Sequence, residues 1–211
     1  MRYLLLGLLG AAVFLYARLN GLSELGLLSK GIPVIALLLW LRKAPGDVYR
    51  RWISLGLLAS LAGDILLDWP GDLFVFGLGA FLLAHLAYLR AYLSDCKQPA
   101  WRALLLAVAT GGTMFAILAS AKLCPLLIPV ACYALAISAM LWRALARLTQ
   151  PGLTATSTRL AACGAALFVL SDSLIGINRF VVQYETAPLA IMLSYWLGQW
   201  GIAASAFKST R

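Results

Sequence analysis

Eight times along the chain a run of roughly 17–20 mostly apolar residues recurs, long enough as a helix to cross the hydrocarbon of a bilayer. The runs lie near 3–19, 25–41, 52–67, 73–92, 101–119, 124–142, 159–177 and 187–207. Short punctuation separates them, such as Asn20-Gly21, Ala44-Pro45-Gly46, Trp69-Pro70-Gly71 and Gln150-Pro151-Gly152. Met1-Arg2 before the first run resembles the start of a signal peptide, but no small-x-small cleavage site follows and seven further runs do, so the segment is taken as the first helix. Of the 211 residues, 63% are apolar and 12% charged, whereas soluble domains carry about 45–50% and about 25%. The expected fold is an all-α integral membrane protein, one transmembrane domain over 1–211 built as a bundle of about eight helices.

Charge sets the orientation. With the N-terminus inside, 13 of the 17 basic residues fall on inside segments: Arg2, Arg42, Lys43, Arg50, Arg51, Arg90, Lys97, Arg102, Arg143, Arg147, Arg159, Lys208 and Arg211. Only Arg18, Lys122 and Arg179 fall outside, and Lys30 lies within the second helix. This bias places both termini in the cytoplasm. It also accounts for the net charge of +9 without a nucleic-acid partner. Cys96, Cys124, Cys132 and Cys163 show no C-x-x-C spacing and read as small apolar fillers.

Against this apolar background Lys30, Asp64, His85, Asp172, Tyr195 and Gln199 stand out. A charge at mid-bilayer costs about 2.5–3.5 kcal/mol on insertion scales, so such residues face the bundle interior, pair, or line a cavity. At about 1.5 Å of rise per residue, all six fall in the outer half of the membrane, from five different helices. That describes a polar pocket open to the extracytoplasmic side. Phe74, Gly77, Phe81, His85 and Tyr88 share one helix face, as do Pro188, Met192, Tyr195 and Gln199. Asp64 and Asp68 share another, with Asp68 nearer the surface. Packing alone explains an aromatic stripe, Lys30 can snorkel to the interface along its stem, and Asp68 and Asp72 suit wetted loop edges. Asp64 and Asp172 fit such readings least. Both follow a small residue, both precede a Leu two positions on, and the short likeness of their segments hints at a four-plus-four duplication.

The order of G-D-x-L-L (Gly63–Leu67), F-x-x-G-x-x-x-F-x-x-x-H-x-x-Y (Phe74–Tyr88), S-D-S (Ser171–Ser173) and Y-x-x-G-Q (Tyr195–Gln199) resembles the YhhN family, which includes the animal lysoplasmalogenases. Lys30 with Pro33 is similar to the family's Lys-Pro element, with Gly31-Ile32 intervening. The resemblance covers about residues 25–205. It implies an eight-helix hydrolase of the cell membrane that cleaves the vinyl ether of a lysoplasmalogen, releasing a fatty aldehyde and glycerophosphoethanolamine or glycerophosphocholine. The family's paired aspartates would fall on Asp64 and Asp172.

The chemistry suits those residues. Vinyl ether hydrolysis protonates a carbon, forms an oxocarbenium ion, adds water and collapses to aldehyde and alcohol. One protonated carboxyl can act as the acid while an ionised one steers water and offsets the cation, and two carboxyl groups sharing a proton follow the logic of aspartic proteases. Which of the two is the acid stays open, because a coupled pair titrates as a unit. Lys30 is the candidate for the substrate phosphate or for holding an aspartate ionised. Asp68, His85, Tyr88, Tyr195 and Gln199 complete the substrate-binding set. The partners expected are the lysophospholipid and membrane lipids, with no cofactor. A zinc site is disfavoured, because catalytic zinc usually takes three protein ligands and the chain has one His. The alternative from another class is a small proton-coupled transporter using a buried Asp/Lys/His relay. The sequence leaves oligomeric state open.

Reporter fusions at Lys97 and Arg147 are expected to report from the cytoplasm and one at Lys122 from outside. Termini on opposite faces would remove the eight-span arrangement.

Overall fold

A computed structural model describes residues 2–121, 123 and 125–207. Its elements are α1 (Arg2–Leu19), α2 (Ser23–Lys30), α3 (Ile32–Leu41), α4 (Val48–Asp68), α5 (Phe74–Asp95), α6 (Trp101–Ser120), α7 (Leu127–Ala146), a 3-10 turn (Arg147–Thr149), α8 (Ala155–Phe180) and α9 (Ala187–Ala204). The expected second helix is two pieces. Pro33 lacks the N–H that would bond the Ser29 carbonyl, and the chain turns at Gly31. Counted as one kinked rod, α2–α3 brings the bundle to the eight helices expected.

Several helices outrun their apolar stretches because side chains cap them. Asp47 Oδ1 accepts the Arg50 N–H at 2.8 Å and starts α4 four residues early. Thr154 Oγ1 accepts the Ser157 N–H and starts α8 at Ala155. Trp69, in extended conformation before Pro70, ends α4. At 21 residues α4 spans about 31 Å, close to the hydrocarbon thickness.

Short connections make successive rods antiparallel. The closest partners are α4 with α5 and α8 with α9, joined by α6 with α7, α1 with α3, and α5 with α7. Six rods are long and apolar enough to cross a membrane: α1, α2–α3, α5, α6, α7 with its 3-10 turn, and α8. The other two, α4 and α9, are interrupted by polar residues. Asp64 and Asp68 interrupt α4, and Tyr195 and Gln199 interrupt α9, which has 11 of its 18 residues buried among the other helices. The protein is an integral membrane protein.

The ends of the bundle differ. Lys43 and Arg2 lie over the Tyr3 ring, and Phe207 stacks on Trp40 at 4.3 Å, so both ends of the described chain meet at the end bearing Arg42–Arg51. Arg143 and Arg147, expected in a loop, are buried there. Arg147 bonds Asp95 at 2.8 Å and Ser157 at 3.2 Å and packs over Tyr49 at 4.5 Å. Tyr49 meets Ser205 at 2.7 Å, and Ser157 donates to the Ser205 carbonyl. Arg143 donates to the Gln98 carbonyl at 2.7 Å and to that of Cys96. Lys122, Cys124, Lys208 and Arg211 lie outside the described residues. Cys96 is buried, while Cys132 and Cys163 are exposed and unbridged.

The α8–α9 contact is backbone on backbone. A Cβ on Gly164 would stand 2.6 Å from Ile202 N and 2.8 Å from Gly198 O, whereas one on Gly112 would meet nothing within 4 Å. Gly164→Ala is therefore expected to lower stability by about 1–3 kcal/mol, and Gly112→Ala to leave it unchanged or raise it slightly. Thermal unfolding in detergent checks both, and equal melting temperatures would refute the close packing.

Candidate functional site

Four aspartates mark the opposite end of the bundle, and three of them have buried or half-buried partners. Asp64, one turn inside the end of α4, accepts the Tyr195 hydroxyl from α9 at 2.7 Å. Asp172 on α8 accepts the Tyr133 hydroxyl from α7 at 2.5 Å, and His85 Nε2 on α5 lies 3.2 Å from the same Oδ2. Asp68 takes Lys30, Nζ to Oδ1 at 3.0 Å. Asp72, exposed and with φ of +50°, takes Arg179 through both carboxylate oxygens.

Lys30, Asp64, Asp68, His85, Asp172 and Tyr195 gather toward this end in layers, while Tyr88 and Gln199 lie nearer the middle of the bundle. Lys30 and Asp68 form the outermost layer. Asp64–Tyr195 and Asp172–Tyr133–His85 form two separate clusters, and among the described residues no hydrogen bond joins the two aspartates. Aromatic rings stand with both clusters: Phe168 lies 5.5 Å from Tyr195 and 4.8 Å from His85, and Phe81 lies 5.8 Å from Tyr195 and 6.0 Å from Phe168. Deeper still, the Tyr88 hydroxyl donates to Gln199 Oε1 at 2.6 Å. His85 Nδ1 is buried without a hydrogen-bond partner among the described residues, a state in which buried polar groups are rarely left.

Two contacts go beyond the sequence reading. Lys30 is buried against Asp68, not snorkelled outward and not paired with Asp64 or Asp172. Tyr133 was missed. Its signal was the one tyrosine of an apolar helix, on the face that it shares with Ile137 and Met140.

Three cavities adjoin these groups. A mouth cavity of about 230 Å³ is lined by Arg18, Lys30, Asp68, Asn178 and Arg179 together with apolar walls including Leu67, Phe74 and Ile175. Those three apolar residues also line a second cavity of about 50 Å³, whose polar edge is Asp172 with Tyr133. A third of about 50 Å³ lies between α6, α7 and α8 and shares Leu118, Val130, Tyr133 and Asp172 with the second. Among the described residues no three His, Cys, Asp or Glu side chains stand together as metal ligands would.

Fold and site together define a polytopic helical membrane protein with an acid cluster set inside the bundle. The sequence profile of the YhhN family matches residues 25–206, and the chain belongs to that family. It is 34% identical over 190 residues to the human lysoplasmalogenase TMEM86B, covering 89% of this chain and 78% of the relative. It is 38% identical over 166 residues to a lysoplasmalogenase of Mycobacterium tuberculosis (75% of this chain, 61% of the relative). Human lysoplasmalogenase TMEM86A is 34% identical over 159 residues (74% and 65%). No solved structure gives a significant match.

The outer ion pair is asymmetric, with side chains 8% exposed for Lys30 and 35% for Asp68. Removing the carboxylate strands a buried ammonium, whereas removing the ammonium leaves a carboxylate that water reaches. Asp68→Asn should therefore cost about 1–3 kcal/mol and Lys30→Met distinctly less. Thermal unfolding of the two variants tests the order, and the reverse order would show that Lys30 is held by something other than Asp68.

Proposed function

We propose that this protein is a lysoplasmalogenase that hydrolyses the vinyl ether of a lysoplasmalogen within the cell membrane. Family membership and relatives named for that activity support the substrate class. The observation that carries the reading is Asp172, a carboxyl group forming the polar edge of an apolar cavity that adjoins a charged mouth. A lysolipid has that order of chemistry: charged head group, ether, hydrocarbon.

In the mouth, Arg18 and Lys30 suit the phosphate, and Asp68 suits the ammonium of an ethanolamine or choline head group. The vinyl ether then lies against Asp172. A carboxylic acid there delivers a proton to the vinyl carbon remote from oxygen, and the positive charge forms on the carbon bonded to oxygen. Water adds to that carbon, and its spare proton goes to a carboxylate. The resulting hemiacetal breaks its bond to the glycerol oxygen, which takes a proton and leaves as the alcohol. The chain departs as the aldehyde. One water is consumed and no oxidant or reductant is needed.

Tyr133 and His85 both meet Asp172 at Oδ2, so Oδ1 is the oxygen without a hydrogen bond to the described protein and is suited to the transfer. Asp64, held by Tyr195 and one turn from Ser60, suits the second role, taking the proton of water and balancing the cation.

Asp64→Asn and Asp172→Asn keep size and hydrogen bonding but remove the exchangeable proton. Each is expected to reduce aldehyde release from a lysoplasmalogen at least about a hundredfold. The double variant should be little worse than either single one, because groups acting as a unit are not additive. Asp68→Asn should lose far less. The measurement is turnover per folded protein, with the saturated ether lysolipid as the uncleaved control. Near-normal turnover in Asp64→Asn or Asp172→Asn would remove that residue from the mechanism, and wild-type protein inert toward every vinyl ether lysolipid would remove the function.

A further inference from the structure

Resting on that reading of the site, we propose that the substrate's hydrocarbon chain occupies the groove between α6, α7 and α8, and that Leu118 is the gate it passes. The groove runs on from the acid. Asp172 and Tyr133 line both apolar cavities, and beyond them the third cavity is walled by Met114, Phe115, Ile137 and Val169. A chain bonded at Asp172 and pointing away from the charged mouth therefore enters this groove.

The helices around it are unequally packed. Gly111 brings α6 hard against α7, where a Cβ would stand 1.8 Å from Ser138 Oγ. Between α6 and α8 the contact is sparse, and its close point is Leu118 against Gly176, where a Cβ on Gly176 would stand 2.9 Å from Leu118 Cδ1. Leu118 lines both cavities, as Val130, Tyr133 and Asp172 do, and of these four it is the one that meets Gly176 of α8. Each cavity holds about 50 Å³, room for a methylene or two and not for an alkenyl chain. The two must merge for a chain to lie there. A rotation of the Leu118 side chain away from Gly176 joins them, and no backbone hydrogen bond is broken. Along the groove the outer side of α6 faces the bilayer, where Gly112, Thr113, Ala116 and Ile117 are exposed. Lipid can thus enter sideways, head group last.

The occupant and the reaction are tested separately. A saturated ether lysophosphoethanolamine with a diazirine at the end of its chain is not cleaved, and it reports the seat of the tail whether or not the protein is an enzyme. Irradiated with protein in nanodiscs, it is expected to label α6 between Thr110 and Leu118 and the facing residues Val130–Ile137 and Val169–Ser173. Unlabelled lysolipid should compete the label away. Competed label on α1 or α9, or label on lipid-facing positions that competition does not reduce, would overturn the proposal.

Gating is read by Met114→Trp, which fills the groove. Hydrolysis of a long-chain lysoplasmalogen should fall about tenfold or more relative to a short-chain one, while Leu105→Trp on the lipid face keeps the wild-type ratio. Equal loss on both chain lengths, in a variant that melts like wild type, would place the tail elsewhere. Leu118→Ala should raise the long-chain rate relative to the short, and an unchanged ratio would remove Leu118 as the gate. Failure of the lysoplasmalogenase reading shows differently: wild type releases no aldehyde from either length, yet the photolabel still tells whether a lysolipid tail occupies the groove.

Discussion

A carboxylate among hydrocarbon is costly unless a donor meets it, and the bundle is arranged around supplying that donor. Each intramembrane aspartate draws on a helix outside its own close pair. Asp64, on α4 of the α4–α5 pair, is met by Tyr195 of α9, 131 residues along the chain. Asp172, on α8 of the α8–α9 pair, is approached by His85 of α5 and bonded by Tyr133 of α7. The two pairs are therefore laced crosswise through their acids. Lipid offers no hydrophobic drive between helices, so such bonds and close packing carry the association. The glycines complete it: Gly63 admits the Phe81 ring between α4 and α5, and Gly164, Gly198 and Gly201 admit backbone between α8 and α9.

The same need shapes the other end. Arg147 is fully buried, yet it is surrounded by Asp95, Ser157 and the faces of Tyr49 and Tyr92. It ties the end of α7 to α4, α5 and α8, and Tyr49 and Ser157 pass the tie to α9 through Ser205. Between the two ends Ile53, Leu57, Met140 and Phe168 form a fully buried apolar layer. A buried clasp thus ties one end of the bundle, and the sparse contact between α6 and α8 lies toward the other.

Helix number was legible because a span must be about as long as the bilayer is thick, a constraint local to each run. Where the sequence reading missed, the cause was an interaction between segments. The early starts of α4 and α8 depend on the Asp47 and Thr154 caps, which apolar runs do not report. Depth placed Lys30 near the carboxylates, but rotation about the helix axis decided that Asp68 would be its partner. Tyr133 carries no charge to draw notice, and its weight comes from Asp172, 39 residues away. The reverse holds for Arg147: a charge near a helix end reads as a loop residue, and only packing reveals a buried clasp. The gathering of Asp64, His85, Asp172 and Tyr195 toward one end was legible, because alternating helix direction fixes depth. Their division into two tyrosine-bound clusters was not.

That division bears on which lipid the site suits. With the head group at Lys30 and Asp68 and the vinyl ether at Asp172, as proposed, the glycerol would lie between the ion pair and the acid. A single chain leaves it toward Leu118. A second acyl chain on the same glycerol would have to turn back across the Lys30–Asp68 pair. Covering a carboxylate that is still a third exposed with hydrocarbon removes its water and returns no hydrogen bond, a cost of a few kcal/mol. A free hydroxyl in that position costs nothing comparable and can bond to the same carboxylate. On that reading, discrimination between a lysolipid and its diacyl-type parent would come from the ion pair at the mouth, and the apolar groove would seat the one chain that remains.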